Sequence, residues 1–223
     1  METQSQKKLL PKGAILKAGL IFVISFCVFL GGWLVVKGYY GTVITTVSSY
    51  AAAAVKNAQV VDITRDKDVV KVGFIPKTYG VAQVYKTSID VPVSNYAFNV
   101  PLTLAIMAAF FPFLRSRRLY IEALVILVFV HFLFIFTLEG ERLTGVFVSQ
   151  GYEKESTISN IFWQFSWGFL DNMVVRFEPF LIGAYLFFFR NRVPSAKPGR
   201  ERDKKGRETK RPGKPKGKKS RKK

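Results

Sequence analysis

Cys27 and His131 are the only cysteine and the only histidine in the chain, and a thiol beside an imidazole is the pairing a cysteine nucleophile requires. Both fall near the middle of long apolar runs that would cross a membrane in the same direction, so a contact at common depth is geometrically open. A catalytic triad also needs a third group to orient the imidazole and a site for an oxyanion, and the sequence offers neither. A thiol in apolar surroundings stays protonated and packs as a small apolar residue, so Cys27 reads as structural. One cysteine excludes an internal disulfide or a multi-cysteine metal site, and one histidine excludes a multi-histidine centre. Walker-type glycine loops and the HExxH, GxSxG and paired-cysteine patterns are absent from the sequence. The chain therefore reads as not an enzyme, with no cofactor and no metal.

Ionisable residues within apolar runs are costly and mark function more often than chance. His131 is the candidate functional residue at membrane depth, set against the plainer reading of an interhelical hydrogen bond. Glu122 lies one helical turn beyond Arg118, and the two read as a charge pair at the membrane boundary. Glu178, between Arg176 and Pro179, suits the start of a helix at the outer headgroups.

The segments that position these residues are delimited by basic clusters at alternate ends. Lys7, Lys8, Lys12 and Lys17 open the chain, Arg115, Arg117 and Arg118 follow the second apolar run, and 17 Lys and Arg against three acids follow the last. Juxtamembrane Lys and Arg stay on the cytoplasmic side. The reading is an α-helical integral membrane protein with about four transmembrane helices, both termini cytoplasmic, a small extracytoplasmic β-rich module and a disordered basic C-terminal tail. A cytoplasmic N-terminus (1–13) leads into a first crossing over 14–36. That run is longer than the roughly 7–15 apolar residues of a signal peptide, and Gly31-Gly32-Trp33 is a poor cleavage site, so it reads as a retained anchor.

Residues 37–58 place Tyr40, Val43, Ile44, Val47 and Ala51 at helical spacing, which predicts a helix on the outer interface or an extension of the first anchor. A fifth crossing here would set the Arg115 cluster opposite the other basic segments. Over 59–95 the pattern turns to strands at Val60–Ile63, Val69–Phe74 and Val81–Lys86, a sheet too small to stand alone, which should rest on the bilayer, the outer helix or a partner. A second crossing over 96–114, a basic loop at 115–118 and a third crossing over 119–138 follow. An outer loop over 139–172 carries an aromatic interfacial helix with Trp163 and Trp167, and a fourth crossing over 173–189 precedes the tail, 190–223.

Within the tail, Lys204, Lys205, Arg207, Lys210 and Arg211 are candidate contacts for anionic lipids, at about 1 kcal/mol per charge near the surface, or for nucleic acid or a ribosome. No aromatic residue follows Phe189, so base stacking is unsupported and the lipid or orienting role is favoured.

The order of basic start, anchor, interfacial stretch and β-rich segment, with Asn99-Val100-Pro101-Leu102-Thr103-Leu104-Ala105 opening the second run and Arg115-Ser116-Arg117-Arg118 closing it, resembles the exosortase H-associated membrane proteins. Residues 119–138 and the Glu178-Pro179-Phe180-Leu181-Ile182 span are similar too, so that the likeness covers residues 14–189. The basic tail is not part of that pattern. The resemblance implies an accessory component of a bacterial protein-sorting system in the inner membrane, with an integral membrane partner of the exosortase type. The residues alone lead to a noncatalytic membrane scaffold. A transporter or channel subunit would need several polar groups converging at mid-depth, and a membrane cysteine enzyme would need Cys27 against His131.

Overall fold

The computed structural model describes residues 12–77, 85–114 and 116–189. It opens with a single uninterrupted helix, α1 (Lys12–Val55), of 44 residues. α1 fuses the expected first crossing with the stretch beyond it, so residues 37–55 continue the same helix. Several of the hydroxyls that obscured this continuity bond back to the helix itself. Those of Thr42, Thr46 and Ser49 donate to the carbonyls of Gly38, Thr42 and Thr45, four residues back. Just past the helix Asn57 takes a left-handed φ of 49°, a conformation asparagine tolerates at helix ends.

Three antiparallel strands follow in the order β1 (Ala58–Asp66), β2 (Val69–Pro76) and β3 (Thr87–Pro92). β1 carries an irregularity between Val60 and Asp62. Of the expected strand Val81–Lys86, Tyr85 and Lys86 lie outside any strand. Val81–Val84 lie outside the described residues, and β3 forms where Thr87, Ile89 and Val91 are buried and Ser88 and Asp90 exposed, a period of two that prepares one face for a core. Val70, Val72 and Phe74 lie across from Val91, Ile89 and Thr87. This face packs with Ile44 and Ala53 of α1 and with Phe134, Ile135 and Leu138 of a later helix. α1, one of the three supports expected for the sheet, packs against it together with a second helix.

α2 (Ser94–Ala97) and α3 (Asn99–Phe110) lead away from the sheet. α4 (Arg117–Ser149) follows, then α5 (Thr157–Phe169), a π-helical turn over Leu170–Val175, and α6 (Arg176–Phe189). Among the described residues, three helical stretches are long and apolar enough to cross a membrane: Ile15–Val55, Arg117–Ser149 and Thr157–Phe189. The fold is thus mostly helical, with the composition of a membrane protein and a small sheet. The expected second crossing is shorter, because α3 alone rises about 18 Å against a hydrocarbon core of roughly 30 Å. Phe98 is itself helical, with φ −63° and ψ −25°, and joins α2 to α3.

α4 runs beyond Leu138, where the sequence placed the start of an outer loop. Glu139, Glu141 and Arg142 are helical because Leu143 and Phe147 continue the buried face, and that burial outweighs the local polarity. Tyr40 meets His131, Ser49 meets Glu139, and Lys56 meets Glu153. The numbers rise together, so the second half of α1 and α4 run parallel. Val100 and Met107 of α3, Ala123 and Leu127 of α4, and Ile182 and Leu186 of α6 form a second core that ties these three helices together.

A buried tyrosine, histidine and glutamate cluster as candidate functional site

His131 is completely buried and Glu178 is 1 % exposed. The sequence neighbours of Glu178 suggested an exposed helix start, but its carboxyl is buried within the bundle. It faces inward, with Oε2 3.0 Å from Nε2 of His131. On the other side of the imidazole, Nδ1 is 2.6 Å from the Tyr40 hydroxyl. The tyrosine comes from α1, the histidine from α4 and the glutamate from α6. Tyr96 of α2 sets its ring edge-to-face against the imidazole at 5.3 Å, fixing the plane of the ring from the sheet side.

The backbone explains how Glu178 comes to be held. Pro179 has no N–H, so the carbonyl four residues earlier, that of Val175, has no helical partner. The side-chain amide of Asn99 donates to this carbonyl and lies 3.4 Å from Glu178 Oε2. Asn99 thus anchors the start of α3 to the start of α6 and contacts the carboxylate at the same time. Arg176 sits beside the cluster in sequence, but its side chain is 66 % exposed and 3.9 Å from Asp171, so it plays no part at depth.

A carboxylate only accepts hydrogen bonds, so an ionised Glu178 places a proton on Nε2, and Nδ1 then accepts from Tyr40. The cluster can orient an imidazole, share a proton along three groups and tie three helices together. Cys27 is exposed. Thirteen residues of α1 separate it from Tyr40, about 20 Å of helical rise, so the structure does not bring Cys27 and His131 together.

A second buried carboxyl, Glu139, also fully buried, has Oε1 2.6 Å from Ser49 Oγ. Glu139 was assigned to an outer loop by its polarity, and only the continuation of the apolar face through Leu143 and Phe147 could have signalled its burial. Arg118 and Glu122 form the expected pair at 2.8 Å, and the Tyr185 hydroxyl adds a hydrogen bond to Glu122 at 2.5 Å. Lys204, Lys205, Arg207, Lys210 and Arg211 lie outside the described residues.

Two hollows are large enough to consider. One of about 460 Å³ lies between the ends of α1, β2 and α4 and the start of α5, with Lys56, Glu153 and Trp163 among its walls. Lys56 bonds both Glu153 oxygens at 3.2 and 3.1 Å and sits 5.3 Å from the Trp163 ring centre. The other, about 540 Å³, is a groove walled by Ile44, Val47, Ile121, Leu124, Val125, Val128, Phe129 and Phe132, a surface suited to acyl chains rather than to chemistry. Neither is lined by Tyr40, His131 or Glu178. Among the described residues no group of three or more His, Cys, Asp or Glu is placed to hold a metal ion. No family model, curated protein or solved structure matches this chain.

Proposed function

We propose that this protein is a noncatalytic multi-pass membrane scaffold that acts bound to another integral membrane protein, an accessory role of the kind implied by its resemblance to exosortase-associated proteins. One observation carries this reading: the ionisable groups at bundle depth, His131 and Glu178, are closed on each other and on Tyr40, and so couple α1, α4 and α6 instead of facing a substrate. The same contacts fix the second half of α1 against α4 and so set the platform on which the sheet rests. In this reading α2 and α3 together supply the second of four crossings, and three basic clusters hold both termini in the cytoplasm of a bacterial inner membrane. The sheet and α5 then face outward as the module available to a partner. The basic tail adds attraction to anionic lipids, ahead of nucleic acid or a ribosome.

The exposed side chains of Leu20, Ile24, Val28 and Val35 along the first half of α1 leave that helix open to lipid or to a neighbouring helix, which supports a partner inside the bilayer. Purification from native membranes in a mild detergent tests the proposal. A second integral membrane protein should be retained in fixed stoichiometry, and a Trp163→Ala change on the outer module or a Val28→Trp change on α1 should release it. Recovery of the chain alone, under conditions that keep other membrane complexes whole, contradicts it.

A subunit of a transport complex is the second reading, favoured by a specific observation. Tyr40, Tyr96, Asn99, His131 and Glu178 converge from five helices at one depth, as a transport path requires.

A further inference from the structure

The cluster contains more ionisable chemistry than a helix clamp needs. A glutamine at 178 would accept the Nε2–H equally well and avoid the cost of withdrawing a carboxylate from water. Counting protons shows what the acid adds. With Glu178 ionised and His131 neutral, Nε2–H donates to Oε2, the Tyr40 hydroxyl donates to Nδ1, and the cluster bears one buried negative charge. One further proton, on Nδ1, makes the cluster neutral as an imidazolium and carboxylate pair, and Nδ1–H then donates to the Tyr40 oxygen. Both states keep both hydrogen bonds, so a proton can enter or leave without a helix moving. The groups facing the pair are Tyr40 from α1, Tyr96 from α2 and Asn99 from α3, none of them a cation that would hold the anionic state in place.

Further polar groups are buried along the seam between α1 and α4. Ser49 Oγ lies 2.6 Å from Glu139 Oε1 and 2.7 Å from the Thr45 carbonyl. With a single hydrogen, Ser49 donates to the carbonyl when a protonated Glu139 donates to it, so the geometry accommodates a carboxyl that carries a proton. The Tyr96 hydroxyl lies next to Thr45 and within the field of Glu139. Among the described residues, Glu139 Oε2 and Glu178 Oε1 are buried without a protein hydrogen-bond partner.

We propose that Tyr40, His131 and Glu178 form a proton-binding site that exchanges with the outer face past Tyr96, Thr45 and Glu139. The proposal goes beyond the scaffold reading and holds whether or not a partner binds. His131 is the chain's single histidine, so nitrogen-15 ring labelling of histidine reports this site alone in the unaltered protein, purified without a polyhistidine tag and placed in lipid nanodiscs. The ring should gain or lose one N–H over the pH range in which the protein stays folded, and Glu178→Gln should shift that change. Glu139→Gln and Ser49→Ala should each leave it in place and slow exchange of the ring protons with bulk water. A ring locked in one protonation state across the range, in the wild-type protein, overturns the site. A titrating ring whose exchange rate is untouched by both seam variants overturns the outer route.

Discussion

Replacing His131 and Glu178 by leucine, singly and together, measures what the buried pair contributes. His131→Leu removes hydrogen bonds to Tyr40 and Glu178. Interhelical hydrogen bonds in membranes average about 0.6 kcal/mol and reach about 1.7, so their loss costs about 1 to 3 kcal/mol. The substitution also strands Glu178 with only the 3.4 Å contact to Asn99. A soluble protein stripped of one partner of a buried ion pair loses about 3 to 5 kcal/mol. Here the carboxyl can take up a proton, which lowers that penalty, and the total for His131→Leu comes to about 2 to 4 kcal/mol. Glu178→Leu leaves the imidazole bonded to Tyr40 and should cost about 1 to 2 kcal/mol. The double variant strands neither group and fills similar volume with apolar atoms. It should be more stable than the sum of the singles by about 1 to 3 kcal/mol. Equilibrium unfolding in mixed micelles reads all three. Additivity within about 0.5 kcal/mol would show that the pair is not an energetic unit and would refute the clamp on which the scaffold reading rests.

Glycine substitutions should separate tight helix contacts from open ones. A Cβ on Gly140 would meet the Trp163 ring at 2.1 Å, so Gly140→Ala should push α5 off α4 and cost about 1 to 3 kcal/mol, read by unfolding and by the indole fluorescence. Gly145, on the same helix, has nothing within 4 Å, so Gly145→Ala should stabilise α4 by about 0.5 to 1 kcal/mol. At the β1–β2 turn, burial pushes the Asp68 carboxyl up, but hydrogen bonds from Ser94 and Lys37 and the Lys37 charge outweigh it and hold the group below its ordinary 3.8. A lowered folded-state value stabilises above the unfolded value and is lost as pH falls through the folded one. Hydrogen exchange in the turn should therefore quicken below about pH 4, and Asp68→Asn should remove that step. Truncation after Arg192 should leave insertion and partner capture intact, since Arg190, Arg192 and the Arg115 cluster remain; loss of capture with correct insertion would make the tail a recognition element.

The parts of this architecture that depend on neighbours in sequence were readable in advance. Leu119–Leu138 is apolar enough to declare itself, Arg118 and Glu122 are one turn apart, and Asp66-Lys67-Asp68 marks the turn between two strands rich in valine. What escaped depends on distant partners. Nothing near Glu178 says that His131, on another helix, will turn it inward; its local context, an arginine before and a proline after, points to an exposed helix start. Pro179 held a usable signal, because a proline within a helix frees a carbonyl that some donor must satisfy, though not that the donor is Asn99. The hydroxyls of Thr42, Thr45, Thr46, Ser48 and Ser49 gave the second half of α1 a polar composition. Some bond back to the helix and others face α4, and composition does not distinguish the two uses. The strand over Thr87–Pro92 escaped because the neighbouring Val81–Lys86 is the more apolar stretch, whereas this strand follows the alternation at Thr87, Ile89 and Val91.

Cysteine accessibility tests most directly the claim that the sheet and α5 form an outer module on a bundle held from the cytoplasmic side. In a Cys27→Ser background, single cysteines are placed at Ser88 on the exposed face of β3, at Thr157 at the start of α5, and at Ser116 before α4, and intact cells are treated with a membrane-impermeant thiol reagent. Cysteines at 88 and 157 should label, and a cysteine at 116 should label only after permeabilisation. Labelling at 116 in intact cells, with 88 and 157 protected, would invert the orientation and remove the basis for an outward-facing scaffold.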